Sequence, residues 1–247
     1  MNRSLTSMNK SLISTNKKKP DILYEDADLL VCVKPAGVPT QSSQVGTPDM
    51  VSILKRHIFQ DSDTRRPPYL AVIHRLDQPV EGLLVFAKTP AAAKELNRQL
   101  TSFGFGKYYR ALLDGVPSRM EDTLEHYLCK DARTNTSRVC DADTPGAKKA
   151  RLHYRILCTE GNQSLADIVL DTGRHHQIRV QMSAIGCPIA GDTKYGASRP
   201  QVFASGRQSP EPSHSVSRGQ IALYACRLEF LHPRTGKPMH FELERHP

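Results

Sequence analysis

Long hydrophobic runs are absent from this sequence. The longer apolar stretches, such as 83–87 and 221–225, fall far short of the roughly 18 consecutive apolar residues that a membrane-spanning helix needs. The sequence therefore excludes a transmembrane protein. With 247 residues, the chain is long enough to bury a hydrophobic core without disulfide or metal cross-links.

Motifs for metal, redox and nucleotide chemistry are absent as well. The six cysteines include no C-x-x-C pair, which is the spacing typical of zinc ribbons and redox motifs. We interpret them as ordinary thiols of a cytoplasmic protein. Neither glycine-rich motif that binds ATP or dinucleotides occurs, so we expect neither a metal nor a nucleotide cofactor.

Positive charge is unevenly distributed. The chain has 34 Lys and Arg against 25 Asp and Glu, a net charge of +9. Residues 1–20 hold five basic residues and no acidic one, and they are rich in Ser, Thr and Asn. This composition predicts a disordered basic arm, followed by one mildly basic folded domain over 21–247. The charge favours an anionic partner.

Short apolar stretches bounded by turn residues predict about seven or eight strands. The strand candidates are 24–33, 70–73, 83–87, 107–113, 150–157, 164–170, 221–230 and 239–243. The polar stretch 130–149 is interpreted as a connection, and 197–220 as a mobile loop insertion.

Three amphipathic patterns predict helices. Thr47 and Pro48 begin the first helix, Thr89 and Pro90 begin the second, and each Pro occupies the first helical position. The second pattern carries its apolar stripe on Ala92, Leu96, Leu100 and Phe103. A third pattern ends at Gly186. Strands joined mostly by turns indicate an α+β fold with a mixed, mostly antiparallel sheet.

Asp77 is the first candidate for chemistry, because it follows an apolar strand in the sequence His-Arg-Leu-Asp. Asp77 and Glu81 could form the acid and base pair of a glycosidase if they shared a helix face. Pro79 lies between them and favours a turn instead. The alternative for Asp77 is a purely local role, as a turn residue or a surface ion pair with Arg75.

A second candidate is the segment 171–179, which places two Arg and two His at the start of the third helix. Such a helix end attracts phosphate, and Arg adds bidentate contacts. His175 and His176 are expected to point to different sides, which argues against a joint metal site. The alternative is a solvated basic turn.

Tyr109 is the third candidate. Strand alternation places it on the same face as Lys107 and Ala111. A tyrosine in a basic cleft can stack on an unstacked base. Equally, its ring can pack in the core with the hydroxyl in water.

Taken together, these segments resemble the RluA family of RNA pseudouridine synthases, in order along nearly the whole chain. The matching segments are 28–37 (DLLVCVKPAG), 74–77 (HRLD), 82–88 (GLLVFAK), 107–111 (KYYRA), 172–180 (TGRHHQIRV), 191–196 (GDTKYG) and 231–236 (LHPRTG). The resemblance implies the family's α+β catalytic fold, in a short form without the S4 RNA-binding domain. It also implies isomerisation of uridine to pseudouridine in tRNA or rRNA, without a cofactor.

The resemblance also implies roles for individual residues. Asp77 would be the essential carboxylate, Arg179 would pair with it and keep it ionised, and Tyr109 would stack on the flipped uracil. The residues expected to bind RNA are Arg75, Arg174, His176, Gln177 and Lys34. We expect the chain to act as a monomer.

The sequence departs from the family pattern directly after Asp77. Val80 and Glu81 stand where the family usually has Thr and Ser before Gly82. An alternative is therefore a non-catalytic RNA-binding protein on the same fold. A two-carboxylate glycoside hydrolase is a third possibility.

Overall fold

The computed structural model describes residues 20–44, 46–60, 66–102, 104–196 and 221–244. Nearly all of the predicted basic arm and the whole 197–220 insertion lie outside these ranges. Among the helices in them, none is both long and apolar enough to cross a membrane.

Eleven strands and three helices make up the described part of the chain. The helices are α1 (Met50–Gln60), α2 (Pro90–Thr101) and α3 (Gln177–Ala184). The strands are β1 (Asp21–Glu25), β2 (Leu29–Lys34), β3 (Ala71–Val72), β4 (Glu81–Ala87), β5 (Gly106–Asp114), β6 (Glu121–Asp131), β7 (Thr136–Cys140), β8 (Lys148–Glu160), β9 (Gln163–Leu170), β10 (Leu223–Leu231) and β11 (Pro238–Glu242).

All eleven strands belong to one sheet with the order β1-β2-β4-β10-β5-β9-β8-β6-β7, while β3 pairs with β4 and β11 with β10. Every pairing is antiparallel except the contact between β4 and β10, which is parallel. The predicted α+β class with a mixed, mostly antiparallel sheet is confirmed.

The core lies on both faces of the sheet. Every residue of β2 is buried, because successive side chains point to opposite faces and both faces are covered. Leu30 and Leu84 pack in one cluster with side chains of α1 and α3. Leu29 and Leu83 pack in a second cluster with side chains of α2.

Two predicted element bounds were wrong. The stretch 24–33 is a hairpin, because Asp26 accepts backbone hydrogen bonds from Asp28 and Leu29 and thereby forms a turn between β1 and β2. Helix α1 begins at Met50, where Asp49 accepts a 2.7 Å hydrogen bond from the N–H of Ser52. Asp49 rather than Thr47 therefore caps this helix.

The predicted start of α2 agrees with the structure. Thr89 Oγ1 accepts a 3.1 Å hydrogen bond from the N–H of Ala92, and Pro90 is the first helical residue. Ala92 and Leu96 are buried on the predicted stripe. Phe103, which was placed on the same stripe, lies outside the described residues.

The interpretation of 130–149 as a connection was wrong. The stretch contains the end of β6, the whole of β7 and the start of β8. The β6–β7 hairpin turns through Asn135, whose φ is 50°. Its strands alternate irregularly between buried and exposed residues, so they lack the apolar period on which strand prediction depends.

Candidate functional site

The parallel contact between β4 and β10 places a loop beside the centre of the sheet. Gly82 of β4 pairs with Ala225 of β10, which pairs on its other side with Tyr109 of β5. A Cβ atom on Gly82 would overlap the backbone of Ala225, and the φ of Gly82 is +133°. Only glycine fits this backbone. The loop that enters β4 carries Asp77. In the sheet, β10 alone separates β4 from β5, the strand that carries Tyr109.

Backbone hydrogen bonds hold the Asp77 loop. The N–H of Val80 donates to the carbonyl of Asp77 at 3.0 Å, and the N–H of Gly37 donates to the carbonyl of Gln78 at 2.9 Å. The side chain of Val80 is buried in the core. The turn therefore closes without the hydroxyl side chains that the family usually has at 80 and 81.

Arg179 reaches the same loop from the first turn of α3. Its side chain is buried, and it donates two hydrogen bonds to Asp192, at 2.8 and 2.7 Å. A third, longer contact of 3.4 Å joins Arg179 Nη1 to Asp77 Oδ2. One guanidinium thus serves two carboxylates, and the fully buried Asp192 holds it more closely.

The electrostatic balance at Asp77 differs from our expectation. Burial raises the pKa of the Asp77 carboxyl above its usual value, and the positive charge of Arg179 only partly opposes this effect. Arg179 is bidentate to Asp192, so much of its charge is already neutralised. Asp77 keeps 26% of its side-chain surface exposed, which leaves the carboxylate open to a ligand.

Tyr109 faces the buried side of β5, with Lys107 and Ala111 on the same face, as predicted. Burial, followed by the negative charge of Asp77, raises the pKa of the Tyr109 hydroxyl well above its usual value. The phenol is therefore neutral at physiological pH, and it lies near the carboxylate of Asp77.

His176 lies inside the site rather than on an RNA-facing surface. It is only 7% exposed, and its Nε2 is 3.7 Å from Asp77 Oδ2. Its ring stacks on that of His175 at 3.7 Å between centroids. The expectation that the two histidines point apart was wrong, because His176 has a left-handed backbone with a φ of 54°.

Gln177 and Lys34 are also buried, and their polar atoms are occupied. The Gln177 amide oxygen accepts hydrogen bonds from Thr172 Oγ1 and the N–H of Arg174, and its nitrogen donates to the carbonyl of Arg151. Lys34 is fully buried, and its Nζ donates to the carbonyls of Pro35, Val38 and Gln78.

These contacts do not fit the RNA-binding assignments of Gln177 and Lys34. Both side chains instead hold the loops that carry Arg174 and Asp77.

Arg75 and Arg174 are the two predicted RNA-binding residues that lie at the surface. Arg174 Nε donates to the carbonyl of Lys149 at 2.8 Å, which anchors the arginine beside β8. Arg75 precedes Asp77 by two residues. Both arginines therefore offer exposed positive charge.

Three residues of the site received no role from the sequence. Asp192 and Tyr195 belong to the segment 191–196, so the family resemblance was the signal that could have singled them out. Ser137 lies on β7 and donates its N–H to Tyr195 Oη at 2.8 Å. No local pattern marks Ser137, because its role arises only when β7 packs against α3.

One cluster among the described residues has the composition of a metal site. It consists of Asp26, Asp28 and His232. Asp26 already accepts hydrogen bonds from Tyr24 and His232 as well as from the turn of the β1–β2 hairpin. This cluster therefore ties the turn after β10 to the first hairpin, and its chemistry is structural.

Comparisons with known proteins give matches over most of the chain. A family model described as RNA pseudouridylate synthase matches residues 28–184. The chain is 34% identical over 231 residues to the "Ribosomal large subunit pseudouridine synthase D" of Zymomonas mobilis, covering 91% of this chain and 68% of the relative. It is 33% identical to an "Uncharacterized RNA pseudouridine synthase" of Bacillus subtilis, covering 90% of this chain and 68% of that relative.

The fold also resembles a solved structure. "Human RNA Pseudouridylate Synthase Domain Containing 4" superposes with a TM-score of 0.70 at 22% identity, over 92% of this chain and 88% of the human chain.

Proposed function

The chain belongs to the RluA family of RNA pseudouridine synthases, enzymes that isomerise uridine in RNA to pseudouridine, and from this premise we propose that its substrate is large-subunit ribosomal RNA and that Asp77 is its catalytic carboxylate. The placement of Asp77 is the observation that supports its catalytic role. It is partly open to solvent and lies between Arg179 and His176.

The reaction needs a group that acts on the ribose. The bond from uracil N1 to ribose C1′ breaks, the base turns, and a new bond forms from C5 to C1′; C5 then loses its proton and N1 gains one. Asp77 either adds to C1′ or removes a proton from the sugar, and both routes need an ionised carboxylate. Arg179 favours that ionised form against the effect of burial.

Tyr109 is proposed to contact the target base. Its ring is only 6% exposed and packs with the core, so a uracil removed from the helical stack would pack against the small exposed part of this residue. Its hydroxyl stays protonated, because burial and the charge of Asp77 raise its pKa. In this proposal Tyr109 orients the base while Asp77 acts on the sugar.

Arg75 and Arg174 are proposed to hold the RNA around the target nucleotide. Both are exposed; Arg75 lies two residues before Asp77, and Arg174 lies in the segment that leads into α3. Contacts from arginine to phosphate position the RNA without reading its sequence. They contribute affinity that falls as the salt concentration rises.

The ribosomal assignment rests on the relatives. The Zymomonas mobilis protein is named for the large ribosomal subunit, and this chain matches it over most of its own length. Transfer RNA is the other substrate that the sequence suggested.

The experiment is pseudouridine mapping of total RNA from cells with and without this protein. The deletion strain is complemented with the wild type, Asp77→Asn, or the matched control Asp122→Asn. Asp122 is a surface carboxylate on β6 that pairs with Arg119. We expect one or a few large-subunit sites to disappear and to return with the wild type and the control only.

Other results would contradict parts of the proposal. Loss of sites confined to transfer RNA would overturn the substrate, and rescue by Asp77→Asn would overturn the carboxylate role. An unchanged map, together with salt-dependent binding of RNA by the purified protein, would favour the non-catalytic RNA-binding alternative.

A further inference from the structure

A chain of hydrogen bonds ends on the ring of His176. The N–H of Ser137 donates to Tyr195 Oη at 2.8 Å, and Tyr195 Oη is 2.7 Å from His176 Nδ1. Within the described ranges, His176 Nδ1 is the acceptor that this hydroxyl reaches. The arrangement that satisfies all three groups has the tyrosine donating its proton to Nδ1.

This arrangement fixes the tautomer of the imidazole. In a neutral histidine, one ring nitrogen accepts and the other carries the proton. Since Nδ1 accepts, the proton of His176 resides on Nε2, the atom 3.7 Å from Asp77 Oδ2. Burial and the positive charge of Arg179 lower the pKa of His176 to about 4, so the ring is neutral at pH 7.

The orientation of the ring is also constrained. One face of the ring stacks on His175, whose Nδ1 lies 2.9 Å from Ser137 Oγ. The edge of the His176 ring contacts the ring of Tyr195. Ser137 thus holds both histidines, one through its side chain and the other through Tyr195. Nε2 therefore has little freedom to turn away from Asp77.

We propose that His176 is a positioning residue whose Nε2–H orients Asp77 Oδ2 in the complex with RNA, and that Tyr195 selects the required tautomer. The distance of 3.7 Å is longer than a hydrogen bond, and catalytic hydrogen bonds often tighten only when substrate binds. The inference rests on the proposed role of Asp77.

Two substitutions at one position separate this role from a structural one. In His176→Gln the side-chain amide nitrogen can occupy the place of Nε2, whereas in His176→Asn it falls near Nδ1. The left-handed backbone at 176 favours Asn over Gln. A purely structural role therefore predicts that Asn is tolerated better, and our proposal predicts the opposite order.

The rate is measured as tritium release in a single turnover. The RNA is total RNA labelled with [5-³H]uridine in cells that lack the protein, because loss of the C5 proton accompanies product formation. We expect His176→Gln to lose about 10-fold in rate and His176→Asn about 100-fold, with similar affinity for RNA, since a small misplacement of a reacting group costs about that much. An Asn variant as fast as the Gln variant would overturn the proposal.

The tautomer can be observed without RNA. Nitrogen-15 spectra of the full-length protein should show His176 as the neutral form protonated on Nε2. Tyr195→Phe keeps the ring against His176 and Arg179, but it removes the hydroxyl. It should give a mixture of tautomers and a lower kcat with an unchanged KM. The exposed control Tyr127→Phe should leave both the tautomer and kcat unchanged.

These readouts keep the two proposals apart. If His176 of the wild type is protonated on Nδ1, the positioning role is wrong whatever the activity. If the wild-type protein releases no tritium from any RNA in the labelled pool, the proposed function fails even when the tautomer is as expected.

Discussion

The two sides of the site, called walls below, hold their functional groups by different means. The β4 wall, residues 74–82, is fixed through its backbone, which accepts hydrogen bonds from the N–H of Gly37 and the side chains of Lys34 and Thr40, and by the approach of Gly82 to Ala225. The α3 wall, residues 172–179 with 192–195, is fixed by buried polar side chains, above all Arg179 and Asp192. The β4 wall can therefore tolerate changed side chains at 80 and 81, whereas the α3 wall depends on particular ones.

Asp77 is the point where the two walls meet, and its replacement should have the largest effect on activity. We expect Asp77→Asn to abolish turnover, with a loss of at least about 10³-fold, since it removes the proposed reacting group. The free energy of unfolding should not decrease. The pKa of Asp77 is raised in the folded protein, so ionisation of this carboxyl destabilises the folded state.

The sign of that effect gives a pH test. The favourable contribution of protonated Asp77 is present below the pKa of the unfolded chain and is lost as the pH rises through the higher pKa of the folded protein. Asp77→Asn should therefore have the same or a higher free energy of unfolding than the wild type at pH 7. The difference should disappear in acid. Urea denaturation at both pH values measures it, and a variant less stable at pH 7 would contradict the assignment.

Asp192→Asn should destabilise the α3 wall. Removing one partner of a buried ion pair typically costs about 3–5 kcal/mol, and Arg179 would retain only its longer contact with Asp77. We expect a loss of this order in the free energy of unfolding, and a lower pKa of Asp77 because Arg179 becomes available to it. Asp122→Asn on β6 is the control, and it should change the unfolding free energy by less than about 1 kcal/mol.

Arg174→Ala should have a smaller effect, confined to binding. Loss of one phosphate contact weakens binding similarly for all sequences and reduces the salt slope by about one. Measuring RNA affinity at several salt concentrations tests this expectation. An unchanged slope would remove Arg174 from the phosphate contacts.

Val80→Thr should have the smallest effect on activity, and it tests the β4 wall. The substitution restores the residue that the family usually carries. Because the N–H of residue 80 closes the turn, we expect turnover within about 3-fold of the wild type, which is less than 1 kcal/mol in activation free energy. A large gain in turnover would show that the departure at 80 and 81 impairs the enzyme.

The predictability of the fold differed between elements for physical reasons. Helix α2 was predictable because Thr89, Pro90 and an apolar stripe all indicate the same structure. The β6–β7 hairpin was missed because edge strands can be largely polar. The stretch 24–33 was predicted as one strand, although the acidic residues Glu25, Asp26 and Asp28 interrupt its apolar pattern where β1 turns into β2.

The site was predictable in its components but not in their contacts. The resemblance singled out Asp77, Tyr109 and Arg179, and the structure places all three near one another. It could not show that Lys34 and Gln177 are buried, since a charged or amide side chain is usually exposed. Nor could it pair Arg179 with Asp192, because that contact depends on how the loop after α3 folds back.

The most direct test of the account is single-turnover tritium release by wild type and Asp77→Asn on RNA labelled at uridine C5, with RNA affinity measured in parallel. We predict release by the wild type and none by Asp77→Asn, at equal affinity for the RNA. Release by Asp77→Asn at a rate near that of the wild type would contradict the claim that the Asp77 carboxylate performs the chemistry.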